Sequence, residues 1–135
     1  MKAPKKLAAD LIAPCGVNCL ACSAYLQAKN ACPGCRADAA LMTRKSCRTC
    51  AKKACAAAQG LTWCFECDRF PCPQLRAMSR RYAANYGIDL VQNGRDGQTD
   101  MTAAAARMLA DCTCPDCAGV IDRHRGVCSA CGRSF

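Results

Sequence analysis

Apolar positions recur at helical spacing in only a few stretches of this chain. The clearest is 73–86, where Leu75, Met78, Tyr82 and Tyr86 form one stripe and Arg76, Arg80 and Arg81 point elsewhere. Pro73 opens that stretch and Gly87 closes it, which predicts a helix with sharp ends. A second helix is predicted from a Thr99 or Asp100 cap to about Ala110, with Met101, Ala105, Met108 and Leu109 facing inward. Two shorter helices are expected at 19–29, capped by Asn18 with Cys19, Cys22 and Leu26 on one face, and at 51–59, alanine-rich and stopped by Gly60. Asn93-Gly94-Arg95-Asp96-Gly97 reads as a glycine-rich loop, and 119–122 with 126–127 as a short hairpin. The expected fold is small and mostly α with irregular loops, divided into 12–75, a helical connector 76–111, and a β-hairpin segment 112–135.

Composition shows why such a fold needs outside help. Cysteine and alanine, 16 and 26 residues, supply much of the nominal 52% hydrophobic content and leave 28 larger apolar or aromatic side chains. Backbone ordering costs about 1–2 kcal/mol per residue, so this core is thin. A structural zinc site supplies on the order of 10 kcal/mol of folding free energy, and the cysteines are the evident ligands. Six Cys-x-x-Cys pairs have the texture of tetrahedral metal ligation rather than of a disulfide scaffold. No secretory signal is read at the N-terminus and no stretch is apolar enough to span a membrane, so a reducing cytoplasm is the expected compartment. The formal charge of +9 largely disappears on metallation, because each four-thiolate zinc site carries a net −2. Three such sites leave about +3, and net charge therefore gives no argument for nucleic acid.

The strongest motif is C-terminal. Cys114, Cys117, Cys128 and Cys131 follow C-x2-C-x10-C-x2-C, the pattern of a closed zinc ribbon with no open coordination position. Of the eleven N-terminal cysteines, spacing pairs Cys19 and Cys22 with Cys32 and Cys35, and Cys47 and Cys50 with Cys64 and Cys67. Cys15, Cys55 and Cys72 are then left over there, and Cys112 just before the ribbon, as additional ligands or reactive thiols. Zinc or a [4Fe-4S] cluster would suit the N-terminal set, since both take four thiolates. Cys15-x3-Cys19-x2-Cys22 has the spacing of radical S-adenosylmethionine enzymes, but 135 residues cannot form their barrel.

Between Cys35 and Cys64 lie Arg36, Arg44, Lys45, Arg48, Lys52 and Lys53, with Asp38 the only acid. Counter-charge for thiolates is the simpler account of them, and a nucleic-acid footprint the alternative. Trp63, Phe65 and Phe70 are expected in the core rather than as a base-stacking platform. His124, the single histidine, is expected to be a solvated turn residue. No catalytic constellation is evident.

The residues Ile12-Ala-Pro-Cys15-Gly-Val-Asn-Cys19-Leu-Ala-Cys22-Ser-Ala-Tyr25, Cys32-Pro-Gly-Cys35, Cys47-x2-Cys50-x4-Cys55 and Cys64-Phe-Glu-Cys67-Asp-Arg-Phe-Pro-Cys72 resemble a cysteine-rich prokaryotic family known mainly as a domain of unknown function. Tyr86-Gly87-Ile-Asp-Leu90 and the ribbon resemble features of some members. The segment between Cys35 and Cys47 is shorter than in many of them, and Asp111-Cys112 stands where a tryptophan would be expected. The resemblance implies a metal-binding protein and brings no activity with it. The function expected is a multi-zinc interaction or adaptor module with a protein partner; the alternatives are an iron–sulfur redox or metal-carrier protein and a nucleic-acid binder.

Overall fold

A computed structural model describes all 135 residues, Met1–Phe135. It is mostly helical: α1 (Ser23–Leu26), α2 (Lys45–Arg48), α3 (Ala51–Ala58), α4 (Pro73–Tyr86), α5 (Leu90–Thr99) and α6 (Met101–Asp111), followed by β1 (Ile121–Asp122) and β2 (Val127–Cys128). The strands pair antiparallel, Ile121 opposite Cys128. Single 3-10 turns fall at Ala9–Leu11, Cys19–Ala21, Ala39–Leu41 and Cys64–Glu66. No helix is long and apolar enough to cross a membrane.

Helix α4 runs over the predicted residues, with Gly87 left-handed at its end (φ 67°). Helix α6 starts from Asp100, whose side chain accepts from the Ala103 amide at 3.1 Å. The predicted 19–29 helix is replaced by the 3-10 turn and α1, with Asn18 capping that turn through the Leu20 amide. The chain then folds back so that the Cys32 amide donates to the Ala24 carbonyl at 2.8 Å. This return seats Cys32 beside Ala24 and Met42 and leaves no room for a longer helix.

The expected loop at 93–97 is instead the middle of α5. Asp89 caps it by accepting from the Gln92 amide at 3.0 Å, and Leu90 is fully buried at its first position. Gly94 and Gly97, three apart, share one face, and a Cβ on either would press into a ring: 2.5 Å from Phe70 and 2.7 Å from Phe65. Helical glycine costs about 1 kcal/mol relative to alanine. Burying a phenylalanine contributes up to about 3 kcal/mol, so admitting two rings offsets that cost. Trp63 stacks on Phe65 with centroids 5.7 Å apart, which places all three aromatics in packing, as expected.

The main core cluster joins Leu7, Ile12, Leu20 and Ala21 to Ala104 and Met108 of α6, Cys112, and Val120 of the C-terminal segment. It therefore draws on all three zones read from the sequence. A second cluster holds Ala13, Cys15, Val17 and Cys19 against Leu75 of α4 and Leu90 of α5. Polar side chains lock these layers. The Ser79 hydroxyl accepts from the Leu90 and Val91 amides and donates to Asp89. Asn93 donates to the Gly16 carbonyl at 3.0 Å and accepts from Arg107 at 2.7 Å, tying the loop before Cys19 to α5 and α6.

Gly94→Ala tests the α5 packing. Overpacking typically costs about 1–3 kcal/mol, and the clash should outweigh the gain in helix propensity. Urea unfolding of the metal-loaded protein should show lower stability, partly restored by Phe70→Leu; a more stable Gly94→Ala protein would contradict the packing.

Candidate metal centre

Two short knuckles build the C-terminal site. Cys114 and Cys117 lie in the turn after α6, Cys128 ends β2, and Cys131 lies in the turn that follows it. Their four sulfurs all lie within 4.8 Å of one another, the only group of three or more ligating side chains in the molecule so arranged. Cys114 Sγ and Cys131 Sγ are 3.8 Å apart, and Cys117 Sγ and Cys128 Sγ are 3.6 Å apart. A tetrahedron with metal–sulfur bonds of about 2.3 Å has edges of about 3.8 Å, so the thiols stand at single-ion spacing. Amides complete the knuckles: Gly119 N–H donates to Cys117 Sγ at 3.3 Å and Ala130 N–H to Cys128 Sγ at 3.4 Å. The Cys131 and Ala130 amides, with neighbouring thiols, draw Cys128 down to about 6. Its sulfur is therefore ready to be a thiolate, the form that binds metal.

Gly119 contributes something that spacing did not reveal. A Cβ there would lie 2.5 Å from Ala130 Cβ, 3.0 Å from Cys128 Sγ and 3.1 Å from Cys117 Sγ. The two knuckles thus close against bare backbone. The segment is also fastened to the chain's beginning, since Val120 N–H donates to the Met1 carbonyl and Ala3 N–H to Ala118, both at 2.9 Å. The Lys2 ammonium caps the Cys117 carbonyl.

The N-terminal cysteines are free thiols, and no three of their sulfurs come within 4.8 Å of one another. They fall into neighbourhoods nonetheless. The Cys35 amide donates to Cys19 Sγ at 3.3 Å, and the two thiols interact. That contact lowers Cys19 and, together with burial, pushes Cys35 well above the ordinary thiol range. Cys22 and Cys47 pack around the buried Cys32 and Met42. Burial lifts Cys15 to about 12, the Val17 amide opposes the rise, and charge on Cys35, Cys50 or Cys64 adds to it. Cys55, Cys64, Cys67 and Cys72 line one small cavity. Spacing had coupled Cys64 and Cys67 to Cys47 and Cys50 instead.

Cys112 stands apart from every other cysteine group. It is 1% exposed in the main core, its thiol donates to the Leu109 carbonyl, and Asn18 donates to its sulfur. Burial raises it, so it is held as a neutral thiol. It borders a cavity of about 300 Å³, shared with Asn18, Asn93, Arg107, Arg123 and His124.

Several basic side chains are fixed in place. Arg36 donates to the Ile12 and Thr62 carbonyls and lies over the Trp63 ring at 4.3 Å. Arg44 donates to Ser23 Oγ and Arg48 to the Met42 carbonyl. Arg36 and Lys53 favour charge on Cys35, and Arg44 on Cys22 and Cys47, which is the counter-charge role. His124 is not a solvated turn residue. Its ring is half-buried 4.5 Å from Tyr86, Nδ1 lies 3.4 Å from the Ser23 amide, and burial lowers its pKa. The fold brings the hairpin turn against α1 and α4, an approach that spacing along the chain does not show.

Gly119→Ala should weaken metal binding at the C-terminal site by at least about tenfold, because a buried methyl must displace a ligand sulfur or the facing knuckle. Competition with a coloured chelator measures this; wild-type affinity would contradict the close packing.

No curated protein and no solved structure matches the chain. Residues 11–77 match the model of a family described as Protein of unknown function (DUF3795), a span that holds all eleven N-terminal cysteines and ends before the C-terminal site. Over that span, just under half of its length, the chain is similar to this family.

Proposed function

We propose that this protein is a zinc protein whose C-terminal ion is structural, and that it acts as an interaction module. The observation that carries the reading is the convergence of Cys114, Cys117, Cys128 and Cys131 at single-ion spacing. Four thiolates fill a tetrahedral shell, leaving no position for water or substrate, which suits folding rather than turnover. Sulfur ligands select soft or borderline ions, and zinc takes this geometry without redox chemistry. Bound there, zinc would join α6, the hairpin and the N-terminal segment, which already meet at Val120. A protein partner would then recognise the surface that the metal holds in shape.

Metal analysis and X-ray absorption on anaerobically purified full-length protein test this. The expected result is at least one zinc per chain with a first shell that includes four sulfurs at about 2.3 Å. Iron in place of zinc would support the redox reading instead, and no bound metal would refute both.

A further inference from the structure

We propose that Cys55, Cys64, Cys67 and Cys72 form a second, separate thiolate metal centre. It rests on the reading of this chain as a thiolate-metal protein, though not on the C-terminal ion. Three segments supply the ligands: Cys55 from α3, Cys64 and Cys67 from the 3-10 turn Cys64–Glu66 and its end, and Cys72 from the start of α4. All four line a single cavity of about 40 Å³ whose other walls include Ala56, Leu61, Phe70 and Leu75. Sequence spacing hides this grouping because Cys55 and Cys72 belong to no Cys-x-x-Cys pair.

Core packing accounts for these thiols only in part, since Cys64 and Cys72 edge the second core cluster while Cys55 and Cys67 belong to none. Cys112, a cysteine that does pack as a small hydrophobe, is 1% exposed. By contrast Cys55 is exposed, and Cys64, Cys67 and Cys72 are half-buried. Exposed reduced thiols are prone to oxidation, so four around one opening call for another role. Donors around Cys55 and Cys72 favour thiolate, while burial and the neighbouring thiols raise Cys64 until a metal supplies positive charge. Gln59 joins two of the four: its Nε2 donates to Cys55 Sγ at 3.2 Å, which favours thiolate there, and its Oε1 accepts from the Cys67 thiol at 3.7 Å, a bond given up on deprotonation. The Leu75 amide at the opening of α4 donates to Cys72 Sγ at 3.4 Å. Lys52 on the cavity wall supplies positive charge.

The ligand class is a soft metal that prefers sulfur, either one zinc ion or an iron–sulfur cluster. No three of these sulfurs lie within 4.8 Å of one another, so the ring is wider than the C-terminal one. A single zinc would draw it inward; a cluster of several irons would fill more of its width. In either case four thiols lose their protons as metal–sulfur bonds form, with no change in sulfur oxidation state.

Residue-resolved alkylation of the reduced full chain tests the proposal in three anaerobic arms: metal-free, zinc alone, and equal ferrous and ferric iron with sulfide. Labelling of Cys55, Cys64, Cys67 and Cys72 should slow together by about tenfold or more in the zinc arm or the iron arm, since a metal-bound thiolate is masked as a nucleophile. The arm that protects them identifies the occupant. Cys55→Ser/Cys72→Ser should release the protection of Cys64 and Cys67 while Cys114, Cys117, Cys128 and Cys131 stay protected by zinc. Unchanged labelling of Cys55 and Cys72 in every arm would overturn the proposal, as would protection of Cys64 and Cys67 jointly with Cys47 and Cys50. Failure of zinc to protect the C-terminal four would count against the proposed function instead, and is read in the same experiment.

Discussion

Four thiols gathered within 4.8 Å are an arrangement that a metal-free chain gains little by forming. As thiolates they repel one another, and as thiols they offer only weak hydrogen bonds. A bound metal ion would reverse that balance by holding all four thiolates at once. Gly119 removes a side chain so that the knuckles can close, and Lys2 and the Met1 carbonyl bind the chain's first residues to the same segment.

The consequence reaches beyond the site because Val120, one residue after Gly119, is fully buried in the main core with Leu20 and Met108. The core is small, and α6 and the N-terminal loops depend on each other to bury it. A metal held by Cys114 and Cys128 would thereby support residues of the 11–77 segment, which holds no ligand of that site. Hydrogen bonds through Ser79 and Asn93 extend the same order to α4, α5 and the loop carrying Cys15. Helices without large apolar faces can be held in this way by a few well-fixed contacts and a metal.

Legibility in the sequence followed how local each determinant is. Helix α4 could be read residue by residue, since its stripe, its opening proline and its closing glycine all lie within it. The four C-terminal ligands were legible for the same reason, as spacing alone specifies two knuckles joined by a hairpin. Helix α5 was not, because Gly94 and Gly97 carry a loop signal locally and acquire their role only when Phe65 and Phe70 arrive from elsewhere. His124 was misread as solvated for a similar reason, with Ser23 and Tyr86 meeting it from distant parts of the chain. Grouping of the N-terminal cysteines by nearest spacing failed to anticipate the shared cavity, where α3 returns Cys55 to the side of Cys72.

The claim that metal ligation sustains the packed core is tested most directly by two-dimensional amide NMR of the reduced, metal-loaded chain during titration with a strong chelator. The account predicts that removing metal collapses the dispersed signals of Val120, Met108 and Leu20 together with those of Cys114 and Cys128, and that zinc restores them. Preservation of the dispersed core spectrum in the metal-free protein would contradict it.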